Sequence, residues 1–391
     1  MKIPYSRQSI DDSDIRAVKR TLSSEFITQG SQITKLEKKL CDYTSSKYST
    51  LVNSATSALH LSCLALEVGS SDIVWTSPIS FVASANCAVY CGAKIDFIDI
   101  NPQTFNICTI NLEKKLIFAK KNNCLPKVII LVHLAGNPCD LKKIYTLSKK
   151  YRFRIIEDAS HALGSIYNNH KIGSCKFSDI TIFSFHPVKI ITTGEGGAIL
   201  TNQKNINKLV KSLRSHGITK EKKSFKRKID GAFHLHYYEM QLLGFNYRMN
   251  DIEAALGISQ FNKLETFIKK RNMISDLYKK LLVNLPLTFQ KVDEKSRSSY
   301  HLFIIKLNSM CKKIYRDKII NNLLKKNIMT NLHYIPIYRH PFYQSFGYKL
   351  SDYPTAEDYF KSAISLPIYP DLSLNEVKKI CKIIKSSFKE N

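Results

Sequence analysis

Strand-like and helix-like segments alternate through the first half of this chain, and this alternation constrains the fold more than any other feature. Strands are predicted at 47–52, 73–77, 95–98, 127–134, 154–157, 180–185 and 197–201. Helices are predicted between several of them, at 54–66, 81–90 and 141–151. Because several of the strands are mostly apolar, they indicate a mostly parallel sheet covered by helices on both faces. In such sheets, ligands bind beyond the carboxyl ends of the strands.

The second half begins with a long helical pattern from residue 250 to about residue 282, which contains no proline and is predicted to connect two domains. Beyond it the sequence predicts a strand at 301–307 and helices at 312–325 and 374–388. We therefore predict an α/β protein with an N-terminal arm and a large domain over 1–255. The connecting helix and a smaller α/β domain would occupy 256–391. The lysine-rich stretch 219–233 lacks apolar periodicity and is predicted to be a mobile surface loop.

The composition restricts the classes of partner. The formal net charge is +27, but much of the excess lies in lysine-rich runs at 220–228 and 312–326. Each run has a single aromatic residue and matches no nucleic-acid-binding motif, so we expect these runs to face solvent and expect no nucleic acid partner. No apolar stretch has the length of a membrane span or the pattern of a signal peptide. The 10 cysteines form no CxxC pair, which predicts free thiols, no metal site and a cytoplasmic location.

An acid, a serine and a lysine stand at or after the ends of two apolar strands. Pyridoxal 5′-phosphate chemistry needs these three groups: a carboxylate for the ring nitrogen, a hydroxyl for the phosphate and an amine for the aldehyde. Asp158 and Ser184 supply the first two, and Lys189 follows in a loop flanked by glycines. Burial in such a loop would disfavour the ammonium form and leave a nucleophilic amine. The alternatives are a surface lysine and an acid that caps a helix.

Other residues extend this pattern. The turn at 53–58 lies between a strand and a helix, where unpaired N–H groups and the helix dipole favour a phosphate dianion. The alternative is an ordinary capped helix, since serine and asparagine are common caps. Phe81 opens the next helix and would stack on a planar ring, unless it belongs to the core. His161 would touch the ring face or the phenolic oxygen of the cofactor, or serve as a buried structural histidine.

Taken in order, these motifs resemble the DegT/DnrJ/StrS family of sugar aminotransferases, which are fold-type I pyridoxal-phosphate enzymes. The likeness covers nearly the whole chain. It includes the segments 26–30, 53–59, 157–164, 184–197, 244–249 and 365–370. Within the family the sequence most resembles members that aminate C4 of a UDP-linked sugar in pseudaminic acid biosynthesis. That narrower likeness rests on 3–10, 53–58, 184–189 and 333–341.

The resemblance implies roles for the cofactor residues. Lys189 would form the Schiff base with pyridoxal 5′-phosphate, and Asp158 would pair with the pyridine nitrogen. The residues implied on the phosphate are Ser184, Ala55, Thr56 and Ser57. Asn246 would reach the phosphate of the neighbouring subunit's cofactor, so the resemblance implies a homodimer with shared active sites. Some relatives carry histidine in place of the lysine and act as dehydratases, and the lysine at 189 argues against that activity here.

The resemblance also implies a substrate pocket. Its residues would be Tyr5, Glu25, Phe26, Ile27, Thr28, His333, Tyr334, Ile335 and Pro336. L-glutamate would donate the amino group, and a UDP-4-keto-6-deoxy-N-acetylhexosamine would accept it at C4. Such a covalent, two-stage transfer predicts ping-pong kinetics. Arg248 and Arg339 are candidates for binding the carboxylates of glutamate.

Three other interpretations stay open at this point. A sister aminotransferase acting on a bacillosamine-type UDP-sugar or a dTDP-sugar would share these motifs. A β-eliminating lyase or a cysteine desulfurase would share the fold, but a desulfurase needs a cysteine on a mobile loop, and 219–233 has none. A non-enzymatic regulator that binds a sugar phosphate through the basic surface would not need Lys189.

Overall fold

The computed structural model describes residues 2–227, 236–308 and 312–388, and the side chains of all of these except 312–314. The helices are α1 (Asp12–Leu22), α2 (Ser31–Thr44), α3 (Ala55–Ala65), α4 (Ala83–Tyr90), α5 (Thr109–Lys121), α6 (Leu141–Tyr151), α7 (Lys204–Arg214), α8 (Asp251–Phe261), α9 (Leu264–Leu282), α10 (Lys312–Lys325), α11 (Pro341–Gln344), α12 (Pro354–Ser362) and α13 (Leu374–Ser387). The strands are β1 (Tyr48–Val52), β2 (Ile73–Thr76), β3 (Lys94–Phe97), β4 (Val128–Val132), β5 (Arg154–Asp158), β6 (Ile166–Tyr167), β7 (His170–Lys171), β8 (Ile180–Ser184), β9 (Gly197–Thr201), β10 (Ile218–Thr219), β11 (Glu239–Met240), β12 (Leu287–Phe289), β13 (Ser296–Arg297), β14 (Phe303–Leu307) and β15 (Ala363–Leu366). Part of the predicted loop at 219–233 lies outside the described residues.

The central sheet has 7 strands in the order β1-β9-β8-β5-β4-β2-β3. From β3 to β8 every neighbouring pair is parallel, whereas β9 runs antiparallel to both β8 and β1. Each strand predicted in the first half belongs to this sheet, so the predicted mostly parallel sheet is confirmed. The carboxyl ends of β1, β5 and β8 lie at the same edge, because β9 alone is reversed.

Helices cover both faces of the sheet. Alternate side chains of a strand point to opposite faces, and β4 shows the result. Ile130 packs into an apolar cluster with residues of α3, α4 and α7, whereas Ile129 and Leu131 pack with residues of α2, α5 and α6. Each of these fully buried side chains contributes about 1.5–3 kcal/mol to folding. The two layers fix the sheet and the loops at its carboxyl edge.

The prediction of one continuous helix from 250 to 282 is wrong in one respect, because this segment forms two helices, α8 and α9. The predicted start is correct, since the Asn250 side chain accepts a hydrogen bond from the Glu253 N–H and caps α8. The break falls at residues 262–263, which contain neither proline nor glycine. There the Lys263 ammonium lies 2.9 Å from Asp11 and 2.5 Å from Asp14 of the N-terminal segment. This tertiary contact accompanies a bend that local sequence does not mark.

A second, smaller sheet lies in the C-terminal part, where β12, β14 and β15 form 3 antiparallel strands. Tyr278 of α9, Ile319 of α10 and Ile380 of α13 pack with Phe303 of β14 in a separate apolar cluster. The predicted smaller α/β domain is built on this cluster, while the boundary at 255/256 falls inside α8 and stays a prediction. Among the described helices, none combines the length and apolar character needed to span a bilayer.

Candidate active site

A cavity of about 580 Å³ opens at the carboxyl ends of β5 and β8, where the sequence places the acid and the serine. The residues that line it include Tyr5, Ser54, Ala55, Thr56, Phe81, Asp158, His161, Ser184, Lys189, Glu195, His301, His333 and Tyr334. A larger open groove of about 1430 Å³ lies beyond the edge strand β3, but no predicted site residue lines it. The smaller cavity therefore gathers the predicted chemistry, and its volume suits a small-molecule site.

Asp158 ends β5 and is held by hydrogen bonds to both carboxylate oxygens. Ser84 of α4 donates its hydroxyl to Oδ2 at 2.6 Å. Ser160 donates to Oδ1 from its N–H at 3.1 Å and from its hydroxyl at 2.6 Å. The residues directly after Asp158 form a turn, so the alternative of a helix cap is not realised. The sequence analysis missed Ser84, which lies 74 positions away and has no motif of its own.

Lys189 lies in the loop between β8 and β9, and its N–H donates to the carbonyl of His186 at 2.9 Å. Burial disfavours the ammonium form and lowers the pKa of Lys189 to about 8, while the nearby Asp158 carboxylate opposes this shift. A neutral amine is therefore accessible near physiological pH. The arrangement supplies a nucleophile at the mouth of a strand-end cavity.

A phosphate-sized anion would find donors where α3 begins. The Ser54 side chain caps the helix by accepting from the Ser57 N–H at 3.1 Å, and the Ser57 hydroxyl donates to Asn53 at 2.6 Å. Among the described residues, the N–H groups of Ala55 and Thr56 have no acceptor. Both residues line the cavity, so this helix N-terminus presents two unpaired donors and the positive end of its dipole. Ser57 does not line the cavity, and its predicted phosphate contact stays a prediction.

The opposite side of this phosphate site is formed by β8 and β9. The Ser184 hydroxyl receives only a long contact of 3.5 Å from the His186 N–H, so its own proton is available to a ligand. Gly197 lies where a Cβ would come within 2.7 Å of the Ser54 carbonyl carbon and 2.8 Å of the Ala55 nitrogen. Only glycine allows β9 to approach the turn this closely. The close approach brings the turn beside Ser184, which pairs with Gly197 in the sheet.

Two rings flank the centre of the cavity. Phe81 is 59% exposed and faces the cavity, so the alternative of a core phenylalanine is not realised. His161 is buried, and burial together with the nearby Lys189 charge holds its pKa well below the usual value. Its Nδ1 accepts from the Ala135 N–H at 3.3 Å, and its Nε2 lies 3.0 Å from the Tyr334 hydroxyl. Both ring nitrogens are thus engaged, and the ring face remains for a cofactor.

The donor set matches pyridoxal 5′-phosphate feature by feature. A fixed carboxylate suits the ring nitrogen, a desolvated amine suits the aldehyde, and two unpaired N–H groups with a hydroxyl suit the phosphate. An exposed aromatic face suits the planar ring. Together with a mostly parallel sheet that carries these groups at its carboxyl edge, the site defines a pyridoxal-phosphate-dependent enzyme of fold type I.

Comparison with known proteins narrows the class. The DegT/DnrJ/EryC1/StrS aminotransferase family matches residues 8–385, and the chain belongs to this family. It is 39% identical over 379 residues to the UDP-4-amino-4,6-dideoxy-N-acetyl-beta-L-altrosamine transaminase of Campylobacter jejuni, covering 96% of this chain and 95% of that protein.

Two solved structures of aminotransferases are similar to this chain over almost its whole length. Helicobacter pylori PseC, an aminotransferase involved in the biosynthesis of pseudoaminic acid, superposes with a TM-score of 0.89 at 33% identity over 100% of both chains. The PLP form of the putative sugar aminotransferase Spr1654 from Streptococcus pneumoniae gives a TM-score of 0.89 at 29% identity, over 100% of this chain and 99% of that one. The protein is therefore a sugar aminotransferase with pyridoxal phosphate as cofactor. The lyase, desulfurase and regulator alternatives are set aside.

The predicted substrate residues fall into two groups. Tyr5, His333 and Tyr334 line the cavity. The residues that do not line it are Glu25, Phe26, Ile27, Thr28, Ile335 and Pro336, together with the predicted cofactor residue Asn246. Their roles stay predictions. His301 was missed by the sequence analysis, although its ring lies 4.3 Å from that of His161, because no motif marks it.

The two arginines proposed for glutamate differ in availability. The Arg339 guanidinium donates through Nε to Glu357 at 2.7 Å and through Nη2 to the second carboxylate oxygen, and it lies over the Phe360 ring. It is thus already paired. Among the described residues, Arg248 forms no ion pair, but neither arginine lines the cavity, so the roles of both stay predictions.

Proposed function

We propose that this enzyme moves the amino group of L-glutamate to C4 of a UDP-linked 2-acetamido-2,6-dideoxy-4-ketohexose. The product would be UDP-4-amino-4,6-dideoxy-N-acetyl-beta-L-altrosamine, for pseudaminic acid biosynthesis. The observation that carries this proposal is the near full-length likeness to a Campylobacter jejuni relative named for that product. The structural likeness to PseC supports the same substrate class.

The residues of the cavity have distinct tasks in this reaction. Pyridoxal phosphate, when bound, supplies the aldehyde that exchanges the amino group and a ring that accepts electrons. Lys189 would hold the cofactor through its aldehyde, and once the amino donor has taken that place, the free amine is positioned to take the proton from the α-carbon of glutamate. In the second half-reaction it delivers a proton to C4 of the sugar. Asp158 keeps the positive charge on the ring nitrogen, and Ser84 and Ser160 hold its carboxylate in place.

A panel of ketosugars tests the proposal. The purified enzyme, loaded with pyridoxal phosphate, is incubated with L-glutamate and with UDP-4-keto sugars that differ in configuration, alongside a dTDP-4-keto sugar. We expect turnover to be highest with the sugar that yields the L-altro product, whose configuration is read by NMR. Preferred turnover of a bacillosamine-type UDP-sugar or of a dTDP-sugar would instead support the sister aminotransferase. Replacing glutamate with other amino acids tests the donor in the same assay.

We also propose that the enzyme is a homodimer with shared active sites. Asn246, which the family resemblance assigns to the partner's phosphate, is exposed and lies away from the cavity of its own chain. Several large apolar residues are exposed in a single chain, namely Phe26 at 57%, Ile27 at 46%, Met240 at 61% and Leu243 at 79%, and the last two lie close to Asn246 in sequence. A contiguous exposed apolar patch marks a surface that another protein covers, and these are the side chains that we expect a partner to bury.

A mixing experiment tests the shared sites. In the proposed dimer, each active site takes Lys189 from one subunit and Asn246 from the other. Lys189→Ala and Asn246→Ala therefore damage different contributions to the site, and each variant homodimer is expected to have weakened or no activity. A hybrid of the two variants restores one intact site if Asn246 acts across the interface. We expect activity to return on mixing after subunit exchange. Unchanged activity on mixing, or a particle of 44.8 kDa in sedimentation, would contradict the proposal.

A further inference from the structure

The direction of the hydrogen bonds around His161 is fixed by the backbone. The Ala135 N–H donates to His161 Nδ1 at 3.3 Å, so Nδ1 is the nitrogen that accepts. A neutral imidazole carries its single proton on the other nitrogen. His161 is buried, and a positive charge on the nearby Lys189 adds to the cost of burying an imidazolium. The ring is therefore neutral, with its proton on Nε2.

This tautomer sets the role of the neighbouring hydroxyl. His161 Nε2 lies 3.0 Å from the Tyr334 hydroxyl, so the imidazole donates and the phenol oxygen accepts. The His161 and Tyr334 rings are nearly parallel, with an interplanar angle of 18°, and the hydrogen bond from His161 orients the Tyr334 hydroxyl. Burial and the nearby Asp158 charge raise the pKa of Tyr334, so the hydroxyl keeps its proton.

The proton of Tyr334 then needs an acceptor of its own. Within the described part of the chain, the Tyr334 hydroxyl has no partner besides His161. Tyr334 lines the cavity together with Lys189 and Asp158. A ligand bound in the cavity can supply this acceptor, because Tyr334 belongs to the same lining as Lys189 and Asp158.

We propose that Tyr334 is a hydrogen-bond donor to an oxygen of the ligand at the reacting end of the cavity, and that His161 is the positioning residue that directs it. This inference rests on the proposed transfer of an amino group to a 4-keto sugar and adds a group to the machinery of that reaction. The acceptor is a phenolate or a carbonyl oxygen. Two sources have this chemistry: the phenolic oxygen of pyridoxal phosphate and the 4-keto oxygen of the sugar.

Tyr334→Phe tests the inference, because phenylalanine keeps the ring packing and removes only the hydroxyl. Tyr338→Phe is the matched control, since Tyr338 lies four positions on, and donates its hydroxyl to Glu357 at 3.0 Å outside the cavity. Both variants and the unmodified protein are loaded with pyridoxal phosphate. Their visible absorbance is titrated against pH without substrate, and each half-reaction is then followed in a single turnover with glutamate and with a ketosugar that the unmodified enzyme aminates.

The two sources give different results. If Tyr334 donates to the phenolic oxygen, its loss makes that oxygen more basic and raises the midpoint of the absorbance titration by about one pH unit, a tenfold change. If it donates to the sugar, the titration is unchanged and the sugar half-reaction slows by about 10- to 100-fold. The Tyr338→Phe control is expected to match the unmodified protein in both measurements. A Tyr334→Phe enzyme with an unchanged titration and unchanged half-reactions would overturn the inference.

The absorbance titration needs no sugar, so it reports on Tyr334 even if the acceptor is a different sugar from the one proposed. A failure of the sugar proposal would appear in the ketosugar panel of the unmodified enzyme. A failure of the Tyr334 proposal would appear only in the comparison of the two variants.

Discussion

Replacing Lys189 with alanine is expected to abolish turnover and to remove the visible absorbance of the loaded enzyme. Among the described residues that line the cavity, Lys189 is the only lysine, so no other side-chain amine is placed to capture the aldehyde. Loss of both the nucleophile and the proton carrier is expected to lower kcat by about 10⁴-fold or more. The measurements are the absorbance spectrum after loading with pyridoxal phosphate and the rate of 2-oxoglutarate formation from glutamate.

Lys189→Arg is the matched control for this change. Arginine keeps a long cationic side chain, but its guanidinium does not lose its proton in proteins and cannot act as a free amine. We therefore expect the arginine variant to be as inactive as the alanine variant while binding the phosphate of the cofactor. Normal turnover by Lys189→Ala, with a thermal unfolding transition like that of the unmodified protein, would refute the assigned role.

The sequence was sufficient for the sheet and for the residues at its carboxyl edge. Strands β4, β5 and β8 are short apolar runs, and the side chains that follow them meet because parallel strands end together. Asp158, Ser184 and Lys189 come together because β5 and β8 are neighbours in the sheet, and this strand order was not predicted from the sequence. The pKa of Lys189 is lowered for the reason that its loop suggests, which is loss of solvent around the ammonium.

Contacts between distant segments were not predictable from the sequence. Ser84 reaches Asp158 from another helix, and the Ala135 N–H reaches His161 from the loop after β4. Neither contact leaves a periodic pattern, since each depends on how two layers pack. The break between α8 and α9 likewise carries no local sequence signal, and it coincides with an ion pair to the N-terminal segment.

The residues that we expect at a subunit interface show another limit of the sequence. The exposed side chains of Phe26 and Ile27 carry no local signal that tells a covered surface from a solvated one. The likeness to a family assigned Phe26 and Ile27 to the substrate pocket, and it assigned only Asn246 to a neighbouring subunit. The mixing experiment with Asn246→Ala addresses this point directly.

The second large effect is expected at the ring nitrogen. Asp158→Asn keeps the size of the side chain and removes its negative charge, so the ring nitrogen loses the partner that keeps it positive. A neutral ring is a poorer acceptor of electrons, and we expect kcat to fall by about 10²- to 10³-fold. The sensitive measurement is the exchange of the α-proton of glutamate with deuterated water, because that step depends on electron withdrawal by the ring.

Ser84→Ala tests the orientation of the Asp158 carboxylate separately from its charge. It keeps the carboxylate but removes the 2.6 Å hydrogen bond to Oδ2, so we expect a smaller loss, about 5- to 10-fold. Ser80→Ala acts one step further away. Among the described residues, the Ser80 hydroxyl bonds to Ser84 at 2.7 Å and not to Asp158, and although Ser80 also lines the cavity, we expect this variant to change exchange least. We therefore expect the loss of activity to decrease in the order Asp158→Asn, Ser84→Ala, Ser80→Ala. Loss of the carboxylate charge has a larger effect than loss of its orientation. Proton exchange by Asp158→Asn at the unmodified rate would mean that the carboxylate does not serve the ring nitrogen.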